Sequence, residues 1–398
     1  MTINYQVLIT PLLRKDVYGT VSDITKDVDL SEFIEQGSLS AIKSEIDQGD
    51  YDIGVYTFGS ITFRVRNFDG RFNEPQIDSR SMFPWYRDRA KVDINFIGDT
   101  TKIQFSGLLA DKATKQDLSQ QSVQFTVLSQ DAIFQQIKVA AGTVTNGMTF
   151  TEALEAVLDV AEVTAVLGFD IADINPTLNL TIDDGSKFDS LILKAALDNL
   201  LFASNSVLVI DSDKNIIVRN RTENSNTPHA FYSGDDQGRD NIYTLTGYNN
   251  GIQRMFNSVL INNTESVNQK SIDTYLTRQK SSSLNFITTE ATEQAIADSI
   301  ISTFGYPLTE MLILTDTETA ESMNILDKVT VSKDFRITRQ PGRHIGLYDV
   351  DDYEKAYYGE ETGDLKIVPD EIFKIIGFSK NPSTFKTSVK IRSTGVMV

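Results

Sequence analysis

The 398-residue chain contains no cysteine. That excludes disulfide bridges, thiolate metal sites and cysteine nucleophiles, and it leaves the redox compartment open. Histidine is almost as scarce, with His229 and His344 the only two. A zinc centre built from several imidazoles is therefore impossible, and a Ser-His-Asp triad would have to recruit one of two loop histidines. Neither GxxxxGK[ST] nor GxGxxG occurs, so nothing predicts a phosphate-cradling loop. Apolar runs are short, none approaching the roughly 20 residues that cross a bilayer. The N-terminus, MTINYQVLITPLLRKD, lacks the basic start, long apolar stretch and small-residue cleavage site of a signal peptide, so none is expected. Basic residues are outnumbered 37 to 55, a net charge of −18. A protein that grips nucleic acid needs cations against phosphate, and this balance argues against one. An acidic surface repels DNA, as suits a conduit through which DNA slides without sticking; equally, it serves solubility alone.

What is present is an ordinary globular composition, 40% hydrophobic and 23% charged, long enough for about two to four domains. The clearest stretch runs from Thr177 to Arg219. Leu178, Leu180 and Ile182 alternate with polar residues, which predicts a strand. Asp183-Asp184-Gly185 breaks it, and Ser186 with Asp189 predicts a capped helix whose apolar stripe includes Phe188, Leu191, Ile192 and Leu197. Val207–Ile210 and Ile216–Val218 predict two strands joined by a turn at Asp211–Asn215. Upstream, Thr149 and Glu152 form a capping box before FTEALEAVLDVAEVTAVLG, with Gly168 as the stop. This α/β part, 141–222, divides two longer β-rich parts.

The first, 1–140, shows strands at Tyr5–Ile9, Ser38–Ile46, Ile61–Val65, Lys91–Phe96, Ile103–Leu109 and Ser122–Leu128, which suggests a small barrel or sandwich. An aromatic loop holds Phe83, Trp85 and Tyr86, better suited to packing on a barrel end or an interface than to stacking on a sugar or base. Residues 223–241, rich in Asn, Ser, Gly and Asp, read as a linker. The second β-rich part, 242–398, carries strands at Ile242–Leu245, Ser258–Asn262, Met311–Leu314, Lys328–Val331, Ile372–Phe378 and Phe385–Ile391. It also carries a helix over Glu290–Phe304, with Thr289 as N-cap and Gly305 and Pro307 at its end. The two β-rich parts share an order of features. RDRAKVDINF, IQFSGLLADK and SVQFTVLS in the first answer NILDKVTVS, IFKIIGFSK and FKTSVKIRS in the second, with Gly107-Leu108 opposite Gly377-Phe378. The expected fold is α+β and β-rich: two tube-like antiparallel β-barrels with a small α/β domain between them.

With YDIGVYTFGSITFRVRNFDGRF in the first part, the α/β insert from Thr149 to Arg219 and IFKIIGFSKNPSTFKTSVKI at the end, the chain resembles the tail and baseplate hub proteins of bacteriophages and contractile injection systems. The resemblance implies a non-enzymatic homotrimer in the virion, at the tail tip. Such a ring adapts the sixfold tail tube to a threefold tip and forms part of the DNA channel, without binding DNA specifically. Its implied partners are a tail tube or distal tail ring protein on one side and a tip or spike protein on the other. A distal-tail ring or receptor-contacting tail protein is the alternative, and a cell-wall glycosidase a more distant one, since paired carboxylates are available among 55 acidic residues.

The main departure from the resemblance is an insertion at 334–370. From Asp349 to Asp370 it holds eight acidic and two basic residues, a net charge of −6. Asp349, Asp351, Asp352, Tyr353, Tyr357, Tyr358, Glu360 and Glu361 are the candidate partner contacts, because long loops are often functional. No catalytic, cofactor or metal site is expected. Asp211–Asn215 resembles the start of a calcium loop, but Ile216 stands where the glycine belongs and Thr222 where the glutamate does.

Overall fold

The computed structural model describes residues 4–10, 28–45, 59–68, 72, 90–97, 101–110, 115–117, 121–129, 134–166, 168–211, 215–221, 229–231, 241–242, 244–249, 252–320, 323–331, 336–337, 365–366, 372–382 and 384–393. In chain order the first strands are β1 (Asn4–Thr10), β2 (Val28–Asp29), β3 (Ile42–Glu45), β4 (Ser60–Arg66), β5 (Lys91–Ile97), β6 (Thr101–Leu109), β7 (Lys115–Asp117) and β8 (Ser122–Ser129). Helix α1 (Phe150–Leu158), β9 (Asp170–Ile174), helix α2 (Leu193–Ala203), β10 (Ser206–Ile210) and β11 (Asn215–Asn220) follow. Then come β12 (His229–Phe231), β13 (Thr244–Asn249), β14 (Ser258–Ile261), β15 (Thr264–Val267), α3 (Gln269–Tyr275), β16 (Gln279–Ser282) and α4 (Glu290–Phe304). The last are β17 (Glu310–Asp316), β18 (Lys328–Val331), β19 (Arg336–Ile337), β20 (Leu365–Lys366), β21 (Ile372–Asn381) and β22 (Lys386–Ser393).

Two seven-stranded sheets dominate. The first runs β2-β1-β5-β6-β8-β4 with β7 also on β8; the second runs β12-β18-β21-β22-β17-β13 with β3 also on β21. The repeat read from sequence is present in this pairing, and it includes a fourth strand. In chain order β4, β5, β6 and β8 lie in space as β5-β6-β8-β4, each pair antiparallel. In chain order β17, β18, β21 and β22 lie as β18-β21-β22-β17, again all antiparallel. Both sets share a Greek-key type of order in which the first strand returns beside the last. Alternation drives both. In β4 the residues Ile61, Phe63 and Val65 face inward and Thr62, Arg64 and Arg66 outward; in β22 Val389 and Ile391 face inward. Gly107 marks a close approach in β6, where a Cβ would lie 2.3 Å from the Leu128 carbonyl oxygen.

The α/β centre has its own sheet, β10-β11-β9, with β10 antiparallel to β11 and β9 parallel to it. The Thr149 capping box forms as expected. Glu152 N donates to Thr149 Oγ1 (3.3 Å) and Thr149 N donates to Glu152 Oε2 (2.8 Å). The helix it starts ends at Leu158, not at Gly168; a π-turn over Glu162–Val166 intervenes, and Gly168 takes the left-handed φ of +69°. The helix expected from Ser186 begins only at Leu193. Asp184 accepts from the Ser186 amide (3.1 Å) and hydroxyl (2.6 Å), which caps a 3-10 turn at Gly185–Phe188, and Ser190 at φ +63° interrupts the run. Gly185 is wedged beneath the preceding segment, where a Cβ would meet the Val144 carbonyl at 2.5 Å. The strand expected at Leu178–Ile182 forms only a single bridge, Thr181 to Thr149.

Residues 252–305 join this centre. A second small sheet, β15-β14-β16, packs under α4. Phe256, Val259, Ile261, Phe286, Ile296, Ile300 and Phe304 share one buried cluster with Phe150, Leu154, Phe188, Leu197 and Leu200. The two large sheets have separate cores, the first around Phe63, Phe72 and Phe125 and the second around Phe231, Phe373 and Ile391. β12, in the stretch that reads as a linker, pairs in parallel with β18. The fold is therefore α+β and β-rich, with two large sheets flanking a mixed centre.

Candidate functional site

The contact residues expected in the insertion, Asp349, Asp351, Asp352, Tyr353, Tyr357, Tyr358, Glu360 and Glu361, lie outside the described residues, as do Phe83, Trp85, Tyr86 and His344. Among the described residues no group of three or more His, Asp or Glu side chains comes together as a metal site would require. Asp211, flagged as a possible calcium-loop start, accepts from Asn215 N (2.8 Å) and Nδ2 (2.9 Å) and so closes the β10–β11 turn.

Among the described residues, a row of charged side chains crosses the second sheet. Lys328 stands opposite Lys374, Lys374 opposite Arg392, and Arg392 opposite Glu310, one residue per strand from β18 to β17. Their neighbours Val329, Phe373, Ile391 and Met311 fill the sheet's core. The row therefore occupies the other face, and all four residues are buried. Glu310 accepts from Arg392 through Nε (2.9 Å) and Nη2, with Arg254 Nη1 at 3.4 Å and Lys390 Nζ at 3.6 Å. Lys374 Nζ donates to the Arg221 carbonyl, and the Arg221 guanidinium lies 5.5 Å from the centre of the Phe304 ring. The row is thus the polar seam between the second sheet and the centre.

A second knot sits beside it. Asp327 accepts from Arg219 Nη1 (2.6 Å), from the Asn324 amide (2.7 Å) and from His229 Nε2 (3.3 Å). Burial pushes the Asp327 carboxyl up, but the hydrogen bonds from His229, Arg219 and the Asn324 amide outweigh it and hold the carboxyl below its ordinary value. Asp327 is therefore ionised and a poor proton donor. No serine or threonine hydroxyl among the described residues completes a triad with His229. The charged groups here act as fasteners, since each carboxylate already has its cations. The sequence signal for them is a charged residue at a sheet position between apolar neighbours, as in Phe373-Lys374-Ile375, a pattern that ordinary strand alternation does not distinguish from an exposed charge.

A third fastener links the two halves of the centre. Asp183 Oδ2 accepts from the Thr288 amide (2.6 Å) and the Thr289 amide (2.9 Å) at the start of α4. Partial burial pushes its carboxyl up, and these hydrogen bonds more than offset that, holding it below its ordinary value. A carboxyl lowered in the fold contributes stability above its unfolded value and loses it as pH falls through the folded one. Asp183→Ala should cost about 1 kcal/mol at neutral pH, as removal of a helix cap does. The difference from wild type in urea midpoint should shrink in acid; a difference that persists unchanged below the carboxylate range would show that the carboxylate is not the cap.

Two seven-stranded sheets share one order over four of their strands, and an α/β centre accompanies them. Over nearly its full length the chain is similar to the tail protein from Neisseria meningitidis MC58, with 11% identity, 99% of this chain and 98% of that one covered, and a TM-score of 0.59. The 43 kDa tail protein of prophage MuSo2 from Shewanella oneidensis matches at 12% identity, 98% and 96% coverage and a TM-score of 0.52. Prophage tail protein gp18 from Listeria monocytogenes EGD-e matches at 12% identity, 99% and 95% coverage and a TM-score of 0.51. The sequence matches no protein-family model and no curated protein. In its fold, the chain is similar to these tail proteins.

Proposed function

We propose that the chain is the structural hub of a phage tail, a homotrimer at the tail tip that joins the sixfold tail tube to a threefold tip. It acts by matching symmetries and carries out no catalysis. The observation that supports this is the order shared by four strands of each large sheet, β5-β6-β8-β4 and β18-β21-β22-β17. If each closes with its neighbours into a tube-like barrel, three chains offer six similar units to a sixfold tube and three identical ones to a tip. Its partners are then a tail tube or distal ring protein above and a tip or spike protein below. The net charge of −18 suits a channel wall that DNA passes without binding.

Mass in solution tests the reading. A species of three times the 44.4 kDa chain mass, alone or on addition of the tube or distal ring protein, is expected. A ring of six copies would favour a distal-tail ring instead, and a chain that stays monomeric with either partner would remove the hub. Double-stranded DNA at physiological salt should leave the protein's mobility unchanged; a salt-sensitive complex would remove the passive channel.

A further inference from the structure

Residues 34–45 form one run that touches both large sheets. Its first half lies along β4. Ile34 bridges Val65, the Glu35 amide donates to the Arg64 carbonyl (2.9 Å), and the Ser40 amide donates to the Thr62 carbonyl (2.9 Å). The return bonds go to hydroxyls: Thr62 N donates to Ser40 Oγ (2.9 Å) and Arg64 N to Ser38 Oγ (3.1 Å). Its second half, β3, pairs over four residues with Gly377–Lys380 of β21. β18 pairs with β21 at Ile372–Lys374, beyond the irregularity at Ile375/Gly377. A piece of the N-terminal region thus extends the second sheet.

The cores show what this run joins. Ile42 is buried in the core of the first sheet, although its backbone belongs to the second. The second sheet is bound to the centre by Val207 and Val209 in its core, by Arg219 on Asp327 and by Lys374 on the Arg221 carbonyl. Among the described residues the first sheet contributes Leu108 to the central core. Tyr5 of β1 also stacks on Phe385, in the β21–β22 turn, with ring centres 6.2 Å apart. Among the described residues, the first of the large sheets has the thinner attachment.

We propose that residues 34–45 are a latch, in which β3 leaves β21 without opening either core and so frees the first sheet to turn relative to the rest. Four ladder pairs hold β3 on β21, and its buried side chain Ile42 belongs to the first core, a low cost for local opening compared with the core strands. When β3 lets go, the bonds of Ser38, Ser40 and Glu35 to β4 keep the run on the first sheet. The latch stands apart from the tail reading, since it concerns one chain.

Hydrogen exchange on the full chain tests it. Amides of Ile42–Glu45 should exchange about tenfold or more faster than those of β22. Lys43 and Ser379 are opposed in register, and opposed residues on antiparallel strands sit roughly 4.5–5.5 Å apart at Cα, within disulfide reach. The chain has no other thiol, so oxidised Lys43→Cys/Ser379→Cys should form one bridge that slows β3 exchange to the β22 rate, reversibly on reduction. Equal exchange of β3 and β22 in the wild type, or no bridge on oxidation, would overturn the latch. Lys43→Pro should leave the Ile61–Val65 and Val389–Ile391 amides protected. Loss of protection in either core would make β3 a structural brace and also overturn it.

Discussion

Glu310→Gln should lower stability by about 3–5 kcal/mol, the cost of removing one partner of a buried ion pair. Glu310 is 3% exposed, and its carboxylate faces Arg392, Arg254 and Lys390, all within 4 Å. Glutamine keeps the shape and one acceptor but removes the negative charge that holds these cations in the seam between sheet and centre. An exposed pair would cost well under about 1 kcal/mol. The denaturant midpoint therefore distinguishes a buried seam from a surface one, and a loss below about 1 kcal/mol would show that water reaches Glu310. Arg392→Met should be destabilising alone and much less so in the Glu310→Gln background, because the pair is already broken. Additive losses would mean that Arg392 and Glu310 do not act together.

What the sequence could show depended on how far apart the interacting residues are. The capping box at Thr149 and Glu152 is settled within a single turn, and the Glu290–Phe304 helix by its own stripe and its Gly305 end; both appear with those residues. Alternation in β4 and β8 likewise marked the inward faces correctly. The Ser186 helix failed for a local reason, since Asp184 competes for the same amide and hydroxyl and forms a tighter turn first. Three strands of the repeat were visible because each carries its own β-type pattern, in the same order in both parts. The fourth was not, because β4 and β17 reach their neighbours β8 and β22 across long stretches of chain. No local pattern in Ala-Ile-Lys-Ser-Glu announces that Ile42–Glu45 will pair with Gly377–Lys380. Nor does one predict that 252–305 will bury its apolar face in the centre. The candidate contact site rested on the composition of the insertion, and its eight candidate residues lie outside the described residues.

The union of 134–221 with 252–305 carries the second large expectation. Phe188 and Phe286 are fully buried with ring centres 4.9 Å apart, one from each segment. The Asp184 amide donates to the Phe286 carbonyl (3.1 Å), and elsewhere between the two segments Asn205 Nδ2 donates to the Ser299 carbonyl (3.0 Å) and to Thr303 Oγ1 (2.8 Å). Phe286→Ala removes a ring from a site that backbone bonds prevent from collapsing, so it should cost about 3–5 kcal/mol. Phe188→Ala should cost a similar amount. The double variant should fall short of the sum by about 0.5–1.5 kcal/mol, the share that belongs to the aromatic contact itself. If 252–305 instead belonged energetically to the second sheet, Phe286→Ala would raise exchange in β17 and β22 and leave α1 and α2 protected. A single centre predicts the reverse, with the amides of α1, α2 and α4 losing protection together while β22 holds.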